Sequence, residues 1–244
     1  MNKILSAGVA ALAITLSAPA QAAAIVNGDG SVTFDNTAGS NAAVINFNGL
    51  GGDPKVVVPG LSAQLTLTLT SIVGNTFNFG YSLLNNSTLA GTRVSGIGFD
   101  VNPNVSSVAS TGIYDEASLG GFAASFTSEV CFNGGPGDCP QSNPAGSVAF
   151  GATGNGTLAL TFGSPLTSIT LSNFLDRYQG FSTSVQGQTP LVTSAVGQGT
   201  PIRGGGVDPT VPEPATWAMM ILGFGVIGAA IRRQRRQTVR YSFA

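Results

Sequence analysis

Between residues 61 and 73 the chain alternates, with Leu61, Ala63, Leu65, Leu67 and Leu69 set against Ser62, Gln64, Thr66, Thr68 and Thr70. A period of two sends one set to a buried face and the other to water, which predicts a half-buried β-strand. Gly74-Asn75 supplies a turn, and residues 76–84 return with Phe77, Phe79, Tyr81 and Leu83 on one face. Together they predict a β-hairpin.

Shorter segments of the same character occur at residues 31–34, 43–47, 147–150 and 156–162, the last with Leu158, Leu160 and Phe162 on one face. Residues 55–58 run into the Pro59-Gly60 turn, residues 93–101 end at Asn102-Pro103-Asn104, and residues 166–174 alternate through Leu166, Ile169 and Leu171. Residues 118–131 read two ways: Leu119, Phe122, Ala123 and Phe126 fall at helical spacing, while Gly120-Gly121 weaken a helix. No long amphipathic helix appears in the pattern. Many short strands with Thr- and Ser-rich wet faces and Gly/Asn turns predict an all-β body over residues 23–181, an antiparallel β-sandwich of jelly-roll-like form.

Residues 174–181 (FLDRYQGF) are expected to close that body. Arg177 can pair with a carboxylate while Tyr178 and Phe181 pack on the sheet; a sharper alternative makes the aromatic rings a sugar-stacking platform. Residues 182–211, rich in Gly, Ser, Thr, Gln and Pro, read as a flexible linker.

The two ends carry a different pattern. Lys3 followed by the apolar run 4–16 and by Ala20-Gln21-Ala22 predicts a signal peptide over residues 1–22, cleaved after Ala22, with Ala24 as the alternative. At the other end come Pro212-Glu213-Pro214, a seventeen-residue, mostly apolar run over 215–231, and Arg232, Arg233, Arg235 and Arg236. A helix of that length spans roughly 26 Å, enough for a bilayer core with local thinning. The arginines would stay cytoplasmic, and Trp217 would sit at the opposite interface. The body would then lie outside, with residues 237–244 as a cytoplasmic tail.

Box, helix and basic cluster, with Trp217-Ala218 after the box, resemble the PEP-CTERM sorting signal over residues 212–236. The resemblance implies export across the inner membrane of a Gram-negative cell and recognition by an exosortase, a membrane cysteine protease cutting near the box. It also implies an association with exopolysaccharide and biofilm. Residues 237–244 are similar to the tails of alphaproteobacterial members, and residues 174–181 resemble segments of a cistern-type subfamily. Pro212 and Pro214 would keep the chain extended at the cut, because proline fixes φ and biases its predecessor away from helix. Glu213 would offer a charge for recognition. The alternative is a single-pass anchor that is never processed, which has no need of the box.

Charge narrows the partners. Between residues 23 and 211 there are ten acidic and four basic side chains, a net charge of −6, while half of the chain's ten basic residues lie in the tail. An acidic body argues against nucleic acid and anionic lipid. The expected partners are the secretion translocon and signal peptidase, an exosortase, the inner membrane in transit, and exopolysaccharide.

Candidate chemistry is sparse. The chain has no histidine, so Ser-His-Asp, Cys-His and histidine-metal systems are excluded. Cys131 and Cys139 enclose FNGGPGD; their spacing is neither a redox nor a zinc motif, and outside the cytoplasm a disulfide is expected. Asp115, Glu116 and Glu129 are the carboxylates from which a glycoside-hydrolase pair would be drawn, although adjacent residues on a strand point to opposite faces. Asn27, Asp29 and Ser31 alternate as calcium-loop ligands do, but no acidic residue closes the loop, and an ordinary turn is expected. The sequence reads as a non-enzyme with no metal or cofactor. A polysaccharide-binding module, with a flat aromatic face drawn from Tyr81, Tyr114, Tyr178 or the phenylalanines, is the alternative, and an exported glycoside hydrolase the remote one.

Overall fold

The computed structural model describes residues 24–35, 41–52, 55–123, 126–135, 139, 146–185 and 191–202, together with Arg232. The chain divides into two compact units, Met1–Gly206 and Val207–Ala244, and the strands among the described residues all belong to the first. They are β1 (Ile25–Val26), β2 (Val32–Asp35), β3 (Asn41–Phe47), β4 (Leu50–Gly51), β5 (Val56–Val57), β6 (Ala63–Val73), β7 (Thr76–Leu84) and β8 (Arg93–Asn102). After them come β9 (Ser107–Gly112), β10 (Glu116–Leu119), β11 (Val130–Asn133), β12 (Val148–Ala149), β13 (Thr153–Thr161), β14 (Ser168–Thr183) and β15 (Val192–Ile202).

The expected hairpin is β6–β7, with Val73 opposite Thr76. Gly74 has φ of 62°, the positive value that a two-residue turn needs at its first central position to match strand twist. Ala63, Leu65, Leu67 and Leu69 are buried, as are Phe77, Phe79, Tyr81 and Leu83. The alternation breaks once. Leu69 faces Phe79 and Ser71 faces Asn78, so Thr70 is an extra residue, and its hydroxyl donates to the Asn78 carbonyl at 2.8 Å. Unbroken alternation would turn Ser71 inward; the bulge instead sets Ile72 opposite Phe77 and against the core.

One antiparallel sheet contains all fifteen strands, in the order β10-β11-β8-β14-β15-β3-β6-β7-β13-β9, with β1, β2, β4, β5 and β12 alongside. The sixteen-residue β14 is its spine. Along one edge it pairs with β8, from Thr170 opposite Asn102 to Gln179 opposite Arg93. Along the other it pairs first with β2 and then with β15.

Two expectations are corrected by β15. Residues 182–211 were expected to be a flexible linker, yet Val192–Ile202 is a strand paired with β14 on one side and β3 on the other. That strand joins the β8–β14 half of the sheet to the β3–β6–β7 half. The two halves therefore form one curved sheet, a nearly closed barrel, where a sandwich would leave two separate sheets. Composition disguised the strand because its glycines are packing residues. A Cβ at Gly199 would meet Ile45 and Phe174 at 2.6 Å and Phe47 at 2.7 Å, so only a bare backbone approaches the core there. Residues 203–211, the rest of the expected linker, lie outside the described residues.

The sheet's two ends, β9 and β10, approach one another and are consecutive in the chain. The corner between them carries Tyr114, fully buried. Its ring stacks on Tyr81 at 6.0 Å and meets Phe132 edge-on at 5.8 Å, and its hydroxyl donates to the Val94 carbonyl at 2.7 Å. A tyrosine fills the seam with ring surface while its polar tip finds a backbone acceptor. Of the segment 118–131, residues 118–119 end β10 and residues 130–131 begin β11, and the described residues between them are neither helix nor strand.

Candidate functional site

The phase of β14 decides which of its side chains can act. Ile169 and Leu171 point inward. Ser172 faces Asp100 and Leu175 faces Gly98, so β14 gains one residue on β8, and Asn173 takes up the bulge with φ of 49°. Asparagine tolerates that left-handed conformation better than most residues. Its amide donates to Asp100 Oδ2 at 2.9 Å and to the Thr127 carbonyl at 3.0 Å. Beyond the bulge the inward set is Phe174, Asp176 and Tyr178, while Arg177 and Gln179 fall on the other face.

On that outer face Arg177, Gln179 and Gly180 of β14 lie between Arg93 of β8 and Thr193 and Ser194 of β15. The six residues line an open depression of about 340 Å³. It exists because the β14–β15 ladder is irregular: Gln179 faces Ser194 and Thr183 faces Val192, leaving extra residues on β14. Gly180 sits in that irregularity with φ of 78°. A Cβ there would meet the Gly91 carbonyl oxygen at 2.7 Å and the Arg93 guanidinium at 3.0 Å. Arg177 is half-buried, and its Nε has no hydrogen-bond partner. Burial lowers its pKa from the usual arginine value. Among the described residues neither guanidinium is joined to a carboxylate. The pairing expected for Arg177 is thus absent there, whereas Tyr178 and Phe181 do pack in the core.

Asp176 lies on the inner side of the same strand, fully buried, with neither carboxyl oxygen hydrogen-bonded. Burial pushes its pKa well above the usual carboxylate range; the nearby Tyr178 hydroxyl and Gly197 N–H oppose that shift only in part. Neither makes a hydrogen bond of good geometry, and the Tyr178 hydroxyl is itself unpaired. Burial likewise raises Tyr178 and Tyr114, with the neighbouring Asp176 adding to both. The charged carboxylate is disfavoured in that setting.

The other sequence candidates separate. Tyr81, Tyr114, Tyr178 and Phe181 are all buried, which removes them as a sugar-stacking platform: a platform needs an exposed ring face. Asp115 Oδ1 accepts from the Gly135 N–H at 3.0 Å. Glu129 accepts from the Val101 N–H at 3.0 Å and the Val105 N–H at 2.7 Å, bracketing the Asn102–Pro103 turn. Glu116 is exposed, in register with Asn133. Asp29 accepts from both the N–H and the hydroxyl of Ser31, the local pattern of an Asx turn, and the Ser31 hydroxyl bond is the chief cause of its lowered pKa. Cys131 and Cys139 form the expected disulfide.

Outside the described residues lie the signal-cleavage positions Ala20 and Ala22, the box Pro212, Glu213 and Pro214, then Trp217, Ala218, Arg233, Arg235 and Arg236. Arg232 alone of the arginine cluster is described, and it is exposed. No helix among the described residues is long and apolar enough to cross a membrane; residues 215–231 are not among them.

Compared with known families, residues 210–236 match the PEP-CTERM protein-sorting motif. No curated protein and no solved structure matches the chain. The chain therefore carries a PEP-CTERM sorting signal, which implies export, processing while membrane-anchored, and an exosortase as the processing partner. Sequence reasoning reached that signal because it is linear. It did not find the Arg93–Arg177 depression, whose residues come from three strands, one of them read as linker.

Proposed function

We propose that this is a non-catalytic protein of a Gram-negative, alphaproteobacterial cell that becomes a surface or extracellular-matrix component accompanying exopolysaccharide and biofilm. A signal peptide over residues 1–22 delivers it to the translocon. The segment 215–231 holds it in the inner membrane, and an exosortase removes the tail near Pro212-Glu213-Pro214. The observation that carries this reading is the sorting motif at residues 210–236. The acidic, disulfide-bonded body is consistent with a life outside the cytoplasm, and the backbone hydrogen bonds of Asp115 and Glu129 give those carboxylates structural tasks.

The test is the intact mass of the protein from its native host, with and without the exosortase. The expected product begins near Ala23 and ends near Pro214, and the tailed form accumulates without the protease. Replacing Glu213 and Pro214 together by alanine should leave export intact and stop tail removal. A mature mass identical in wild type and variant, or a tail retained in both strains, refutes the processing.

A further inference from the structure

The body bears a net charge of −6, and its described basic residues are Lys55, Arg93 and Arg177. Two of those three converge on one depression. They do so without carboxylate partners among the described residues, and the Arg177 Nε is buried with no acceptor. The buried Nε is out of a ligand's reach, but the remaining guanidinium N–H groups of the two arginines have no carboxylate beside them and can donate to an oxoanion. The fold specifically provides for the pair. The β14–β15 irregularity opens the depression, and Gly180, which its φ of 78° and the Gly91 carbonyl oxygen 2.7 Å from a Cβ require to be bare, also leaves room for the Arg93 guanidinium.

The surroundings narrow the class of anion. Thr193 and Ser194 supply two hydroxyls beside the arginines, groups that hydrogen-bond to alcohols. Among the described residues no aromatic ring lines the depression to stack on a sugar. The acidic body disfavours an anionic lipid surface or a nucleic-acid phosphate backbone, and the hydroxyls beside the arginines suit an oxoanion carried on a polyol. At about 340 Å³ the depression is at the small end of ligand sites, and being open it admits one unit of a longer chain from the side.

We propose that the depression between β8, β14 and β15 binds the carboxylate of a uronic acid unit in an acidic polysaccharide, with Arg93 and Arg177 holding the carboxylate and Thr193 and Ser194 meeting the sugar hydroxyls. The proposal rests on the association with exopolysaccharide for the choice of a sugar, and on the two arginines for the choice of an acidic one.

Calorimetric titration of the full-length protein in detergent micelles tests it, using trigalacturonate, the neutral trisaccharide maltotriose, and sodium sulfate. Trigalacturonate should bind at one site and weaken with added salt, and maltotriose should not compete. Arg93→Gln and Arg177→Gln should each weaken trigalacturonate about tenfold or more, and Arg93→Lys, which keeps charge but loses the fork, should fall between. Thr193 is exposed, so Thr193→Glu should leave the melting temperature unchanged while abolishing binding by repulsion. Trigalacturonate binding that survives both Thr193→Glu and the double arginine substitution overturns the site, as does no binding of trigalacturonate at all. Sulfate binding as tightly as trigalacturonate overturns the assignment to a sugar. Maltotriose binding that ignores these substitutions would sink the acidic site while leaving the wider association with polysaccharide standing, and neither result bears on tail removal.

Discussion

Asp176 and Gly197 face each other across the β14–β15 ladder, and the Asp176 carboxyl occupies the space that a side chain on Gly197 would need. A Cβ on Gly197 would collide with Asp176 Oδ1 and with the Asn48 carbonyl oxygen. The pair explains why a glycine stands mid-strand and how a carboxyl comes to be buried without a partner.

Replacing Gly197 by alanine should destabilise the body by about 1–3 kcal/mol, the usual cost of overpacking. The effect is coupled to Asp176. In Gly197→Ala/Asp176→Ala part of the loss should return, because the carboxyl is gone, and the remainder reflects the Asn48 carbonyl. Urea unfolding of both single variants and the double checks this; strictly additive losses would refute the collision.

Asp176 also sets a pH dependence. Its folded pKa is raised by burial, so between the ordinary carboxylate value of about 3.9 and the folded value the native state binds more protons than the unfolded chain. Stability is then full below the unfolded value and falls as pH rises towards the folded one, by up to about 1.4 kcal/mol per pH unit. Asp176→Asn removes this contribution, so its stability relative to wild type should grow from pH 4 to pH 7. Parallel curves for the two proteins would show that the carboxyl ionises freely in the fold.

Glu129 ties two backbone N–H groups on either side of the Asn102–Pro103 turn. Truncation to alanine leaves both without that acceptor and should cost about 2–4 kcal/mol, since hydrogen bonds to charged groups are worth more than neutral ones. Glu129→Gln, with one amide oxygen left to accept, should lie between. A Glu129→Ala protein that melts with wild type would release this carboxylate from its structural role and return it to the candidates for chemistry.

How much was legible follows the range of each interaction. The β6–β7 hairpin could be read from residues 61–84 because strand alternation and a Gly-Asn turn are local. Even there the bulge at Thr70, which brings Ile72 inward, had no local mark. In β14 the misreading was larger. Simple alternation from Ile169 and Leu171 does not place Asp176 in the core; the extra residue at Asn173 does, and Asp100 and Thr127, distant in sequence, hold it.

The sequence by itself determined the linear features. Sorting box, arginines and disulfide partners act through residue type and spacing, and the strand pattern depends on each segment's own two faces. Only the tertiary structure decided what required distant segments to meet. The glycines of β15 read as linker until Phe47, Ile45, Phe174 and Asp176 are seen to need the room. The tyrosines read as a possible binding face until the curvature of the sheet turns Tyr81, Tyr114 and Tyr178 inward. Arg93 and Arg177, 84 positions apart in the sequence, become neighbours only because β8 and β14 pair and β15 completes the wall beside them. Periodicity records which face a residue prefers, whereas register between strands records what it will meet there, and register is settled by the whole sheet at once.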